Sequence, residues 1–102
     1  MSLFQLNDDG AVVVHGDLDQ VTLSKNFWDE VTPAQRTKIS SQDRLIIDLS
    51  DMNRIDSAGL AWLINAIRDG KQHGIQVTLR DIPEKLSKLA KISDVETLLP
   101  VE

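Results

Sequence analysis

The residues best suited to chemistry or to partner binding lie in the segment RIDSAGLAWLI, residues 54–64. There Asp56 and Ser57 come immediately before an apolar stretch with helical periodicity. Either side chain can accept a hydrogen bond from an unpaired backbone N–H in the first turn of a helix, and such a cap contributes about 1 kcal/mol. A phosphate on Ser57 would also be tolerated, because free N–H groups and the positive end of the helix dipole favour an anion. Helix capping and phosphate-dependent switching therefore both remain open for Ser57.

Residues suited to catalysis or metal binding are sparse in the rest of the chain. There is no cysteine, and His15 and His73 have no partner at a metal-ligand spacing. The sequence contains no phosphate-binding loop, no dinucleotide-binding glycine motif and no serine-nucleophile elbow. His73 is interpreted as a favourable charge at a helix C-terminus. The sequence therefore favours a protein that is not an enzyme and that uses no metal or cofactor.

Length and charge limit the partners of the chain. Its 102 residues predict a single domain, 1–102, and its net charge of −5 argues against nucleic acid, because phosphate neutralisation needs clustered Lys and Arg. The longest apolar run, GLAWLI, is far shorter than the roughly 20 residues that span a bilayer. The N-terminal MSLFQLNDDG also lacks the pattern of a signal peptide. We expect a soluble, cytoplasmic protein without direct membrane insertion.

Trp62 is the second candidate functional residue. On a helical wheel it lies about 160° from the centre of the apolar stripe formed by Leu60, Leu63, Ile64 and Ile67. Because Trp is enriched at interface hot spots, we predict an exposed apolar anchor, which would also allow the isolated chain to form a homodimer. The alternative is that Trp62 packs under the polar loop after Val31 or against a chain terminus. The predicted partner-binding surface consists of Trp62 and six neighbours: Arg54, Asp56, Ser57, Ala58, Asn65 and Ala66.

Local patterns in the first half predict the elements that position these residues. SLFQL and AVVVHGDL flank the turn signal NDDG and predict a β-hairpin. The apolar spacing from Gln20 to Val31 predicts an amphipathic helix that stops at Pro33. TPAQRTKISSQD is polar and predicts a loop with room for a helical turn. RLIIDLS is nearly continuous in apolar residues and predicts a central strand covered on both faces.

The second half alternates between helix and strand patterns. A helix is expected from Ser57 to Gln72 or His73, with Gly74 just after its end. IQVTLR predicts a strand, Pro83 begins another helix, and SDVETLLP predicts a last short turn capped by Ser93 or Asp94. The order ββαβαβα indicates an α/β fold with a mixed sheet of about four strands, the later ones parallel through right-handed crossovers.

The same segments resemble a known family, the STAS domain, which is the fold of the bacterial anti-sigma factor antagonists. Asp56–Leu60 matches the D-[ST]-x-G-L core of that family, and VVVHGDLDQVTL resembles its usual approach to the first helix. The resemblance covers nearly the whole chain. Within the family the chain is most similar to the small STAS subunits of Mla-type phospholipid-transport ABC systems, on GDLDQ, GLAWLINAI, VTLRDIPEKLSKLAKI and LLP.

The resemblance implies a non-enzymatic accessory subunit that binds and stabilises or regulates a cytoplasmic MlaF-like ATPase. Through this ATPase it would associate with an MlaE-like permease, peripheral to the inner membrane, and help maintain outer-membrane lipid asymmetry. Ser57 would lie on or beside the ATPase-facing surface, and lipid would pass through the permease rather than a pocket in this chain. The alternative is an anti-sigma factor antagonist in which a partner kinase phosphorylates Ser57, with Asp19 nearby.

Overall fold

The computed structural model describes residues 4–7, 10–18 and 27–100. The predicted helix from Gln20 is therefore described only from Phe27, and Asp9 and Asp19 lie outside the described residues. The elements in chain order are β1 (Phe4–Leu6), β2 (Ala11–Val14), β3 (Gly16–Leu18), α1 (Phe27–Glu30), α2 (Pro33–Gln42), β4 (Arg44–Asp48), β5 (Met52–Ile55), α3 (Ser57–Gln72), β6 (Gln76–Arg80) and α4 (Glu84–Ile92), followed by a 3₁₀ helix at Glu96–Leu98.

The main sheet has the strand order β1-β2-β4-β6. Strands β1 and β2 form the predicted antiparallel hairpin, and β2, β4 and β6 are parallel, so the mixed four-stranded α/β fold is confirmed. The short strands β3 and β5 form a second, parallel pair that the sequence patterns did not predict. These strands have only three and four residues, too few for a clear alternation of apolar and polar side chains.

The strand order places the helices on one face of the main sheet. Each parallel crossover moves one strand further in the same direction, and right-handed crossovers of that kind return to the same side. Accordingly, residues of the helices and of one sheet face share a single apolar core. The prediction that β4 is covered on both faces is wrong, because its residues alternate: Leu45 and Ile47 are buried, whereas Ile46 is half-buried on the open face between Ala11 and Thr78.

Helix α2 corrects the prediction of a loop after Val31. Thr32 and Gln35 form a reciprocal capping box: the Gln35 N–H donates to Thr32 Oγ1 over 3.2 Å, and the Thr32 N–H donates to Gln35 Oε1 over 2.9 Å. Pro33 occupies the first turn, where its missing N–H costs nothing. The helix is polar and buries Ile39, so its apolar periodicity is too weak to be recognised. Pro33 therefore comes shortly after the end of α1 and is also the first residue of α2.

Helices α3 and α4 follow the sequence signals closely. Helix α3 ends at Gln72, and Gly74 follows with φ +75°, which a glycine adopts without strain. His73 is the C-cap, and its Nδ1 lies 2.7 Å from the carbonyl oxygen of Asp69. Pro83 precedes the first turn of α4. The prediction that Ser93 or Asp94 caps the last turn is wrong, because Ser93 ends α4 and Val95 precedes the 3₁₀ helix.

Candidate partner-binding surface

The small β3–β5 sheet holds the N-terminus of α3 in place. Strand β5 runs directly into Asp56, whose N–H donates to the carbonyl oxygen of Leu18 at the end of β3 over 3.2 Å. Gly59 allows this approach, because a Cβ at this position would lie 2.1 Å from the same Leu18 oxygen. The glycine of the D-S-A-G-L segment is therefore required by close packing between the helix and β3.

Asp56 is the residue that caps α3. Its Oδ1 accepts hydrogen bonds from the N–H groups of Ala58 and Gly59, at 2.9 and 3.1 Å. Ser57 is consequently the first helical residue, exposed, and its hydroxyl makes no hydrogen bond to another described residue. The choice of cap that the sequence left open is resolved in favour of Asp56. A phosphate on Ser57 would meet an Asp56 carboxylate that already uses two of the free N–H groups.

The exposed side of α3 begins with small residues. Ser57 and Ala61 are exposed, and Ala58 and Asn65 are half-buried, so this side of the first three turns carries short side chains. Arg54 is exposed on β5, just before this turn. Further along, Arg68 Nη2 donates to Asn65 Oδ1 over 2.6 Å. Ala61 was absent from the predicted surface, although its i+4 spacing from Ser57 was visible in the sequence.

The prediction that Trp62 and Ala66 are exposed is wrong. Their exposed fractions are 4% and 1%, and both belong to the apolar core. The Trp62 ring packs edge-on against Phe27 at a centroid distance of 5.7 Å and lies 6.4 Å from Phe4. The alternative that Trp62 packs against a chain terminus agrees with its contact with β1. Trp62 therefore supplies neither an apolar anchor for a partner nor the basis for a homodimer.

The exposure of Trp62 and Ala66 was predicted wrongly because the buried face of α3 is wider than the apolar stripe on the helical wheel. One part of this buried face carries Leu60 and Leu63. The part nearer to α1 carries Trp62, Ala66 and Gly70. Helix α1 approaches closely there. Trp28 Nε1 donates to the Ala66 carbonyl oxygen over 2.9 Å, and a Cβ on Gly70 would lie 3.2 Å from the Trp28 ring. The small residues at i+4 and i+8 from Trp62 were the sequence signal for this packing.

Two pairs of ionisable side chains lie close together near the C-terminal end of β4. Burial favours the neutral carboxyl of Asp48 and would raise its pKa. Hydrogen bonds from the Ser50 hydroxyl and N–H, together with the Arg80 guanidinium 3.9 Å away, favour the ionised form. Because these interactions outweigh burial, the pKa of Asp48 is lowered. On the following turn, Asp51 Oδ2 lies 2.5 Å from Nδ1 of His15. Neither pair lies on the exposed side of α3, so neither belongs to the candidate partner-binding surface.

The described residues contain no group of three or more His, Cys, Asp or Glu side chains that could hold a metal ion. Within these same ranges, no helix combines the length and the apolar character needed to cross a bilayer.

Comparison with known proteins places the chain in a family. The family model described as "Mlab, STAS domain" matches residues 2–100. The chain is 44% identical over 91 residues to the intermembrane phospholipid transport system binding protein MlaB of Escherichia coli K12, covering 89% of this chain and 87% of the relative. The protein of the same name from Shigella flexneri matches with the same identity and coverage.

Solved structures show the same fold at lower sequence identity. The NMR structure of the protein TM1081 matches 100% of this chain and 80% of its own, with a TM-score of 0.65 and 15% identity. The unphosphorylated anti-sigma factor antagonist SpoIIAA matches 97% of this chain and 87% of its own, with a TM-score of 0.58 and 18% identity. The capped, glycine-dependent start of α3, the mixed sheet and the match over residues 2–100 together show that this chain belongs to the MlaB-type STAS domain family.

Proposed function

We propose that the protein is a non-enzymatic accessory subunit of a phospholipid-transport ABC transporter. The observation that carries this proposal is the 44% identity, over 89% of the chain, to proteins named as binding proteins of an intermembrane phospholipid transport system. The subunit binds an MlaF-like ATPase on the cytoplasmic side and is linked through it to an MlaE-like permease. It is thereby peripheral to the inner membrane and helps maintain outer-membrane lipid asymmetry.

The ATPase-facing surface is the exposed side of the first three turns of α3. It comprises Ser57, Ala58, Ala61 and Asn65, with Arg54 and Asp56 at its edge. Small side chains on a capped helix let a partner approach the helix backbone closely, and the Ser57 hydroxyl is free to form a hydrogen bond with it. Trp62 supports this surface from the core, through Phe4 and Phe27.

Regulation by this subunit follows from differential binding. If the surface fits one arrangement of the ATPase better than another, binding stabilises the preferred arrangement by the difference in affinity. No catalytic group or cofactor in this chain is needed for that effect, and no lipid needs to enter it. The chain acts by shape and polar contact at the start of α3.

The second candidate is an anti-sigma factor antagonist, and the exposure of Ser57 favours it. Ser57 lies at the N-terminus of a helix with its hydroxyl accessible to a kinase. In that function phosphorylation at Ser57 would add negative charge next to Asp56 and release a partner by repulsion.

Affinity capture of the tagged chain from its native cells, with mass spectrometry, separates the two functions. An ABC ATPase recovered with its permease and with unmodified Ser57 is the result that we expect. Recovery of a serine kinase that is also an anti-sigma factor, together with phosphorylated Ser57 peptides, would contradict the transporter function. A Ser57→Ala variant is the matched control, since it removes the phosphorylation site and leaves the Asp56 cap.

A further inference from the structure

A second surface lies beside the C-terminal half of α3. It is a groove of about 820 Å³ between α3, the outer edge of β6 and the 3₁₀ helix. Its floor and walls are mainly apolar, and Leu98 on the 3₁₀ helix is 53% exposed. The apolar lining residues are Ile64, Ile67, Ile75, Val77, Leu98 and Pro100.

The backbone of β6 at this groove is available for pairing. Strand β6 is the edge strand of the main sheet, and the Gln76 N–H and the Arg80 carbonyl oxygen bond toward β4. Alternate residues therefore face the other way, and the Leu79 N–H donates to the Pro100 carbonyl oxygen over 2.8 Å. Val77 has the same orientation as Leu79, and among the described residues no hydrogen bond to its outward N–H is found. Within the described residues, the C-terminal segment thus covers the edge at Leu79 and leaves it open at Val77.

The ionisable side chains that line the groove in the described part of the chain are both basic. Arg68 and Lys71 are its ionisable lining residues, and no carboxylate in the described part of the chain lines it, although the whole chain carries a net charge of −5. Arg68 Nε lies 4.0 Å from Asp69 Oδ1, whereas Lys71 makes no ion pair with any residue in the described ranges. A negatively charged occupant would therefore be attracted to this end of α3.

We propose that the groove binds an extended acidic and aliphatic peptide segment of a partner protein by β-strand addition. The peptide backbone pairs with β6 at Val77, alternate aliphatic side chains enter the apolar floor, and a carboxylate contacts Arg68 or Lys71. The surface lies on a different part of α3 from Ser57. Peptide binding in the groove is therefore independent of the ATPase contact.

A peptide explains the groove better than a lipid does. An anionic lipid would use the apolar floor and the two cations, but it has no backbone donor and acceptor to pair with the edge of β6. The edge already accepts one extended segment, because the Leu99–Pro100 stretch bonds to Leu79. An extended peptide with a carboxylate can use all three features of the groove: the apolar floor, the two cations and the outward-facing backbone groups of β6.

The test is an NMR titration of the ¹⁵N-labelled chain with two blocked five-residue peptides. Both carry Val at positions 1 and 3 and Thr at positions 2 and 4; position 5, on the same side of the strand as the Val residues, is Glu in one peptide and Lys in the other. We expect the acidic peptide to shift the amides of Val77 and Leu98 and to bind about tenfold more tightly than the basic one. Equal affinity for the two peptides, or no shift at Val77, would overturn the proposal.

Charge-reversal variants and vesicles complete the experiment. The double variant that combines Arg68→Glu with Lys71→Glu is expected to abolish the preference for the acidic peptide. Lys91→Glu, on an exposed position of α4 outside the groove lining, is the matched control and leaves that preference unchanged. Phosphatidylglycerol vesicles should leave the Val77 amide unshifted. If they shift it and the acidic peptide does not, the groove is a lipid site and the peptide assignment is wrong.

Discussion

The two sides of α3 have different roles. The inner side presents Trp62, Ala66 and Gly70 to α1 and the sheet, with one large ring and two small residues that let α1 come close. The outer side presents Ser57, Ala61 and a half-buried Asn65 to solvent. The contrast shows that this helix uses its aromatic residue for folding. Partner binding at the start of α3 would then depend on small side chains and polar contacts.

The largest expected effect comes from the inner side. Trp62→Ala removes a ring that packs against Phe4 and Phe27, and we expect the free energy of unfolding to fall by about 3–5 kcal/mol. Ser57→Ala, on the outer side, should change it by less than about 0.5 kcal/mol. Urea denaturation followed by circular dichroism measures both. If the two variants lost similar amounts of unfolding free energy, the inner and outer sides of α3 would not have the different roles described.

Gly59 tests how closely the helix approaches β3. Gly59→Ala is favourable for helix propensity, but its Cβ would lie 2.1 Å from the Leu18 carbonyl oxygen, so the backbone must shift. We expect a net loss of about 1–3 kcal/mol in the free energy of unfolding. Thermal and urea unfolding of the two proteins provide the measurement. A Gly59→Ala variant as stable as the wild type would mean that the helix and β3 are further apart than described.

The cap of α3 should show a smaller effect. Asp56→Ala leaves the N–H groups of Ala58 and Gly59 without their acceptor, and we expect a loss of about 1 kcal/mol in the free energy of unfolding. Asp56→Asn is the control, because its amide oxygen can still cap the helix. If the Asn variant lost as much stability as the Ala variant, the negative charge of Asp56 rather than its hydrogen bonds would be the stabilising factor.

A pH-dependent effect is expected at the end of β4, away from α3. The pKa of Asp48 is lowered from its ordinary value of 3.8, so its ionised form stabilises the folded state at higher pH. That contribution is fully present above the ordinary value and is lost as the pH falls through the lowered, folded-state pKa. The stability difference between wild type and Asp48→Asn, measured by urea unfolding, should therefore shrink on acidification through this range. A difference that stays constant from neutral to acidic pH would contradict the assignment.

The parts of the structure that depend on local signals were predictable. Helix α3 starts after an acidic cap and ends before Gly74, and both signals act within one helical turn. The capping box of Thr32 and Gln35 was equally local, but Pro33 was assigned to the end of the preceding helix instead of the start of the next. In each case the information was in neighbouring residues.

Burial of Trp62 and the groove beside β6 depend on tertiary packing. A helical wheel shows which residues share a side, but it does not show that α3 contacts both the sheet and α1, which widens the buried arc. Likewise, the open edge at Val77 follows from the register of β6 against β4 and from the position of Pro100. Neither feature is present in a single segment of sequence.

The affinity of the MlaF-like ATPase for variants of the exposed side of α3 tests the proposed contact most directly. Ser57→Glu places a negative charge at a helix N-terminus, where the fold tolerates it, but inside the proposed contact it would be buried without a partner. We expect binding at least about tenfold weaker than wild type, and unchanged binding for the matched Ser87→Glu on the exposed face of α4. Wild-type affinity for Ser57→Glu would contradict the assignment of this surface to the ATPase.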